Sequence, residues 1–214
     1  MITLKKSAKI KYEGGERKMD PERIMRIFRH IPTLETDRLI LRKMSKNDSG
    51  DMFEYASNPA VTKYLTWDVH PNERFTRNYL AFLQSKYRSG EFYDWAVTLR
   101  QNGKMIGTCG FTRFNYSACS AEIGYVLNPA YWGEGIADEA ARRVIRFGFD
   151  YLGLNRIEAK CMSGNAQSRR VMEKIGMIFE GTTRDGMSVK NRFVSVDTSA
   201  ILRDEYMNGR QYII

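Results

Sequence analysis

Ala121-Glu122-Ile123-Gly124-Tyr125-Val126-Leu127-Asn128-Pro129-Ala130-Tyr131-Trp132-Gly133-Glu134-Gly135-Ile136-Ala137-Asp138 is the stretch on which the reading of the chain turns. Its first seven residues read as a strand that Asn128-Pro129 breaks. Gly124, in mid-strand, hints at a bulge or a close backbone contact. Gly133 and Gly135 then precede Ile136, Ala137, Ala140, Ala141, Val144, Ile145 and Gly148 at helical spacing, with Arg142, Arg143 and Arg146 towards solvent. Two glycines remove side chains where backbone must approach a ligand, and a helix start offers unpaired N–H groups and a partial positive charge. The combination reads as a pyrophosphate-binding loop. Other phosphate fingerprints do not fit: GxxxxGK[ST] is absent, and GxGxxG lacks its third glycine.

Working outward from this loop, the upstream chain reads as a β-meander. Trp95 to Leu99 is a strand, Asn102-Gly103 a hairpin turn, Met105 to Phe114 the returning strand, and a polar turn near Ser117 leads into Ala121. Before it, Asp20-Pro21 opens a short helix reaching about Phe28, and Pro32 ends it. Leu34 to Met44 alternates as a first strand. Ser45 to Ala56 and Asn72 to Tyr87 read as helices, the second with Phe75, Tyr79, Phe82 and Leu83 as its apolar face. Downstream, Gly153 ends the central helix, Arg156 to Met162 is a strand, and Ala166 to Ile175 is a helix with Gly176 beyond its C-terminus. Strands near Met177–Thr183 and Phe193–Leu202 close the sheet. The order is α+β, with an antiparallel start and a βαβα end.

The 214 residues are 43% hydrophobic and 28% charged, as expected of one globular domain. We expect a tail over 1–18, a short helix and linker over 19–33, the main domain over 34–205 and a C-terminal tail over 206–214. No apolar run approaches the roughly 20 residues of a membrane span. Residues 1–18 lack a signal peptide's apolar core, so the expected location is cytoplasmic, away from membranes. Three cysteines without CxxC spacing indicate neither a disulfide framework nor a metal site. His30 and His70 lie far apart and read as surface or loop residues. Of the net charge of +9, residues 1–18 hold a surplus of four. The remaining +5 suits a phosphate-rich ligand, and no nucleic-acid-binding motif accompanies it. Glu13-Gly14-Gly15-Glu16 can be encoded by a purine run like a ribosome-binding sequence ahead of Met19. Met19 is therefore one reading of the start, a genuine basic tail the other.

The loop and its strand resemble the acyl-CoA motif of the GNAT superfamily, [QR]xxGx[GA], with Trp132 in the first position and Gly135 and Ala137 in the fourth and sixth. The chain is further similar to the RimJ/RimL-like branch, protein N-terminal acetyltransferases that act on ribosomal proteins. Leu34-Glu35-Thr36-Asp37-Arg38-Leu39-Ile40-Leu41-Arg42 carries that likeness, as do Ala121 to Tyr125 with Tyr131-Trp132-Gly133. Asn165-Ala166-Gln167-Ser168 with Glu173-Lys174-Ile175-Gly176 completes it. The resemblance implies the GNAT fold: a mixed, mostly antiparallel twisted sheet with splayed central strands, flanked by helices. It implies acetyl-CoA as co-substrate, no metal, an amine acceptor and a possible homodimer.

The resemblance also implies roles. Backbone groups of Ile123, Tyr125 and Leu127 would run along the pantetheine arm, with an oxyanion donor near Val126 or Leu127. Amides from Gly133, Glu134, Gly135, Ile136 and Ala137 to Asp138 would hold the pyrophosphate, next to Trp132. Asn165 and Ser168 would face the pantetheine and sulfur, and Arg169, Arg170 or Lys174 the adenosine phosphates. Glu122 is the first choice for general base. Ser168 takes the part of proton donor to the leaving thiolate, because Met172 stands where many relatives have a tyrosine. Met187 stands where RimL-like enzymes carry a basic glutamate, with Asp185 nearby. Trp67, Phe92, Tyr93, Trp95 and Tyr116 could wall an acceptor cleft, with one or two touching substrate. Glu54, Asp68, Glu73, Glu91 and Asp94 are its candidate carboxylates. The acceptor is expected to be a protein or peptide N-terminus. The alternatives are a small amine (polyamine, antibiotic or amino-acid-like) or a catalytically weak acyl-CoA-binding module.

Overall fold

The computed structural model describes residues 19–210; the expected tail over 1–18 lies outside the described residues. Helix α1 (Pro21–Arg29) starts on the Asp20 carboxylate, which accepts from the Glu22 amide, with Pro21 at the first helical position. The expected single strand over 34–44 is instead a tight hairpin, β1 (Leu34–Glu35) and β2 (Leu39–Arg42), in antiparallel register. Thr36 makes the turn: its hydroxyl accepts from the Leu39 amide at 3.0 Å. The 3₁₀ turn Lys46–Asp48 then runs into α2 (Ser49–Ala56), and a short helix α3 (Pro59–Thr62), which periodicity does not reveal, follows.

Helix α4 (Glu73–Ser89) has the expected extent but another buried face. Thr76, Leu80, Leu83 and Tyr87 point inward, while Phe75 and Phe82 are about half exposed. A hydrogen bond between Thr76 and His70 Nδ1 (2.8 Å) satisfies the polar residue on the inner face, so that face is hard to see in hydropathy. The meander follows as β3 (Tyr93–Leu99), β4 (Met105–Asn115) and β5 (Ser120–Leu127). The chain continues through α5 (Ile136–Phe147), a π-turn over Gly148–Leu152 closed by left-handed Gly153, β6 (Arg156–Met162) and α6 (Ala166–Lys174). The last elements are β7 (Ile178–Val189), β8 (Arg192–Leu202) and α7 (Arg203–Arg210). Strand β7 outruns its expected end through a register shift between Thr183 and Met187. Where a C-terminal tail was expected, Tyr206 of α7 stacks on Phe149 at 4.8 Å.

The sheet order is β1-β2-β3-β4-β5-β6-β8-β7. All neighbours are antiparallel except β5 and β6. Successive residues of a strand face opposite sides, so Trp95 and Asp94 face different layers. On the Trp95 side, Phe28, Phe111 and Phe147 pack edge-on around the indole at 5.5–6.4 Å, and α5 and α6 cover the sheet. On the Asp94 side lie α2 and α4, whose Tyr87 hydroxyl donates to the Asp94 carbonyl at 2.7 Å. Among the described residues no helix is long and apolar enough to cross a membrane.

Candidate active site

Strands β5 and β6 pair only from Ser120–Arg156 to Ile123–Ala159, yet both continue, to Leu127 and Met162. Beyond that last pair they diverge, and the edges that face each other carry backbone donors and acceptors with no strand partner among the described residues. The hint in Gly124 resolves as a close contact. A Cβ there would lie 2.9 Å from Thr112 Cγ2, and Thr112 sits in a bulge of β4 between Phe111 and Arg113.

The loop lies at the open end of this gap. Gly133 (φ +85°) and Gly135 (φ +73°) are left-handed, and a Cβ on Gly133 would meet nothing within 4 Å. Their glycine requirement is therefore conformational, and the space in front of them is open. Gly135 is the N-cap of α5 and brings no side chain to cap it, so first-turn amides face the space ahead. Arg38, from the β1–β2 turn, fastens this loop. It bonds Glu139 Oε2 at 2.6 Å and the Glu134 carbonyl at 3.0 Å. Trp132 Nε1 donates to the Leu127 carbonyl at 2.9 Å, which leaves that carbonyl less free for a ligand.

One cavity of about 1230 Å³ joins the gap, the loop and the space under α2 and α4. Ser168 and Tyr125 meet within it: their hydroxyls are 3.0 Å apart, and Tyr125 also reaches the Ser168 carbonyl at 3.1 Å. Burial raises the Tyr125 pKa, so the phenol stays protonated. Asn165 caps α6 by accepting from the Ser168 amide at 3.1 Å, so the serine is free of the capping duty itself. Uncapped amides, open strand edges and a protic pair fit a long phosphate-ended amide chain such as coenzyme A.

Residues 38–178 match the sequence profile of the family described as "Acetyltransferase (GNAT) domain". The chain belongs to the GNAT acetyltransferase family. It is 34% identical over 176 residues to the "Uncharacterized N-acetyltransferase p20" of Bacillus licheniformis, spanning 82% of this chain and 99% of that one. It is 32% identical over 157 residues to the "Putative ribosomal N-acetyltransferase YdaF" of Bacillus subtilis, spanning 73% and 79%. A crystal structure of a GNAT-family acetyltransferase from Bacillus anthracis superposes with a TM-score of 0.73 at 32% identity, over 81% of this chain and 99% of that one. The eight-stranded sheet with its flanking helices is the GNAT fold, and the enzyme is an N-acetyltransferase.

Against this GNAT framework the candidate residues divide. Ile123, Tyr125, Val126, Leu127, Trp132, Gly133, Gly135, Ile136, Ala137, Asp138, Asn165, Ser168 and Lys174 all line the cavity. Glu134 and Arg169 do not. Arg169, expected at the adenosine phosphates, stands 3.6 Å from buried Asp197 and lies over the Phe179 ring at 5.0 Å. Arg170 and Lys174 do line the cavity, and Lys174 stands 3.5 Å from Asp138. Met172 and Met187 line it too, and Asp185 does not.

Glu122 lines the cavity at the closed end of the gap, but its carboxylate is engaged. It lies 3.1 Å from Lys160 and 3.8 Å from Arg113 and accepts from Thr112 Oγ1 at 3.1 Å. Of the proposed acceptor-wall aromatics, Trp67 reaches the cavity; Trp95 is core, with its indole N–H on the Pro32 carbonyl. His70 lies in the loop before α4, in keeping with the surface-or-loop expectation, and lines the cavity, packed between Trp67, Phe75 and Tyr79; burial lowers its pKa. Of the acceptor-wall carboxylates, Glu54 is held by Lys104 and Asn128, Glu73 by Ser49 and Arg77, and Glu91 by Lys86 and Ser89. Asp68 and Asp94 line the cavity. Sequence reasoning missed Tyr55, whose hydroxyl is buried there without a hydrogen-bond partner among the described residues.

Proposed function

We propose that this enzyme transfers the acetyl group of acetyl-CoA to a primary amine, and that the acceptor is the N-terminus of a protein or peptide. The observation that carries it is the divergence of β5 from β6 beyond Ile123–Ala159, opening beside the uncapped start of α5. When bound there, acetyl-CoA supplies an activated thioester. The free β5 edge at Leu127 offers an amide to the thioester oxygen, where developing negative charge needs a donor, whereas Val126 turns its backbone towards β4. The Tyr125–Ser168 pair supplies the proton for the leaving sulfur.

The acceptor reading rests on the rim. Val69 (40% exposed) and Phe75 (49%) line the mouth of the cavity as apolar surface suited to the side chains that follow a terminal amine. A polyamine would favour a second free carboxylate, but Asp68 is 3.5 Å from Lys190 and Glu122 is paired with Lys160. The ribosomal N-acetyltransferase in the name of the B. subtilis relative supports the same reading. Thiol release from acetyl-CoA against N-terminal peptides, polyamines and aminoglycosides tests it. Turnover on peptides is expected; turnover on small amines alone would replace the acceptor, and cofactor binding with no turnover would leave a binding module.

A further inference from the structure

Asp94 is a carboxylate in the cavity with no ion pair among the described residues, in an enzyme whose other acceptor-side carboxylates are nearly all matched to cations. Its hydrogen bonds come from the Trp95 amide (2.9 Å) and the Thr108 hydroxyl. Resting on the transferase reading above, we propose that Asp94, with the Tyr55 hydroxyl in the same pocket, receives the ammonium of the acceptor and takes its proton.

Three observations support this role. First, Tyr55 is 2% exposed, and among the described residues its hydroxyl has no hydrogen-bond partner, a deficit that a bound amine would relieve. Second, Asp94, Gly110 and Gly124 are register partners across β3, β4 and β5 and share one face. Two strand spacings, about 10 Å, separate the Asp94 backbone from that of the open strand. The carboxylate leans into that interval: its Oδ1 lies 2.7 Å from where a Cβ of Gly110 would stand, while Thr112 Cγ2 covers Gly124. Third, the surroundings are protonated or neutral. Tyr55 from α2, Tyr79 and Tyr87 from α4 and Cys109 from β4 all have raised pKa values, chiefly through burial, and His70 above them has a lowered one. The nearest acid–base cluster, Asp48 with Arg42, is closed on itself at 2.6 Å, and Asp51 accepts from the Met105 amide. Burial pushes the Asp94 carboxyl up to about 7, against the two hydrogen bonds that favour its charge. A base poised there suits an amine that must lose a proton near neutral pH.

The protons balance. The acceptor R–NH3⁺ gives one proton to the Asp94 carboxylate and becomes R–NH2. The amine nitrogen then forms its bond to the acetyl carbon as the carbon–sulfur bond breaks. The second nitrogen proton offsets the one passed to the sulfur by the Tyr125–Ser168 pair, and Asp94 returns its proton to water. The sum is R–NH3⁺ and thioester giving amide, thiol and H⁺.

The test compares wild type with Asp94→Asn, Asp94→Glu and Tyr55→Phe on the acceptor panel, with acetyl-CoA affinity by calorimetry as a second readout. Asp94→Asn is expected to lower kcat by about 10²-fold or more and to abolish the acidic limb of the pH–rate profile. Its acetyl-CoA affinity should stay within about twofold, and Asp94→Glu should recover part of the rate. Tyr55→Phe is expected to raise the KM for amine several-fold without lowering Tm, which separates ligand recognition from packing. An Asp94→Asn enzyme with wild-type kcat and an intact acidic limb overturns the proposal while leaving the transferase reading in place. A wild type that binds acetyl-CoA but acetylates nothing overturns both. In the protein alone, the Asp94 carboxyl carbon should titrate near neutrality by NMR; titration in the ordinary carboxylate range counts against the assignment.

Discussion

At the scale of single residues, the loop glycines and the Tyr125–Ser168 pair have separable duties. Gly135 is left-handed, and a side chain there pays a conformational cost of about 1–2 kcal/mol before any ligand arrives. Gly135→Val is therefore expected to lower Tm slightly and to raise the KM for acetyl-CoA at least tenfold; an unchanged KM would make the loop a mere turn. Ser168→Ala should lower kcat with little effect on acetyl-CoA affinity. Because Tyr125 retains its own hydroxyl, Tyr125→Phe combined with Ser168→Ala should cost more than either alone, and strict additivity in a double-mutant cycle would deny that they share a proton path.

At the scale of elements, the β1–β2 hairpin and α5 are bound by Arg38. The Arg38–Glu139 pair is half in solvent, so its contribution to stability is small. Its work is positional: Arg38→Ala is expected to raise the KM for acetyl-CoA several-fold with Tm within about 2 °C of wild type. A large drop in Tm with an unchanged KM would reverse that reading. How much could be read from sequence follows the range of the forces involved. Strand β5, its loop and α5 were legible because glycines, a proline break and helical spacing are all local. The hairpin at Thr36 was not, since one side-chain hydrogen bond there outweighs an alternating pattern. The face of α4 was misread because Phe75 and Phe82 mimic a core stripe while serving the cavity rim or solvent. Arg169 looked like its neighbours until Asp197, 28 positions on, and Phe179 claimed it. Asp94 could be named as one of five carboxylates. Only tertiary structure shows that its rivals are paired and that, among the described residues, it is not.

For the whole molecule, the raised carboxyl of Asp94 makes stability depend on pH. A group whose folded pKa exceeds its unfolded value stabilises the fold fully below the unfolded pKa. That contribution is lost as pH rises towards the folded value, here from about 4 to about 7. Asp94→Asn should thus have the higher Tm at pH 8, with the advantage shrinking towards pH 4; an advantage independent of pH would point to packing instead. A second whole-molecule expectation concerns the start of the described chain. Met19 is nearly buried and its amide donates to the Tyr116 carbonyl at 3.2 Å. A protein beginning at Met19 should keep the Tm and activity of the full chain, and loss of either would give residues 1–18 a part in the enzyme.

The gap between β5 and β6 has one more consequence, for the protein's lifetime. Only four residue pairs join the two halves of the sheet across this seam, and a ligand lying in it supplies hydrogen bonds that a strand would otherwise make. Acetyl-CoA at 100 times its Kd would deepen the native state by about 2.7 kcal/mol. A protease that waits for the seam to open would then meet it roughly a hundredfold less often. The abundance of this enzyme in a cell would rise and fall with the supply of its own acetyl donor, before any acceptor is present.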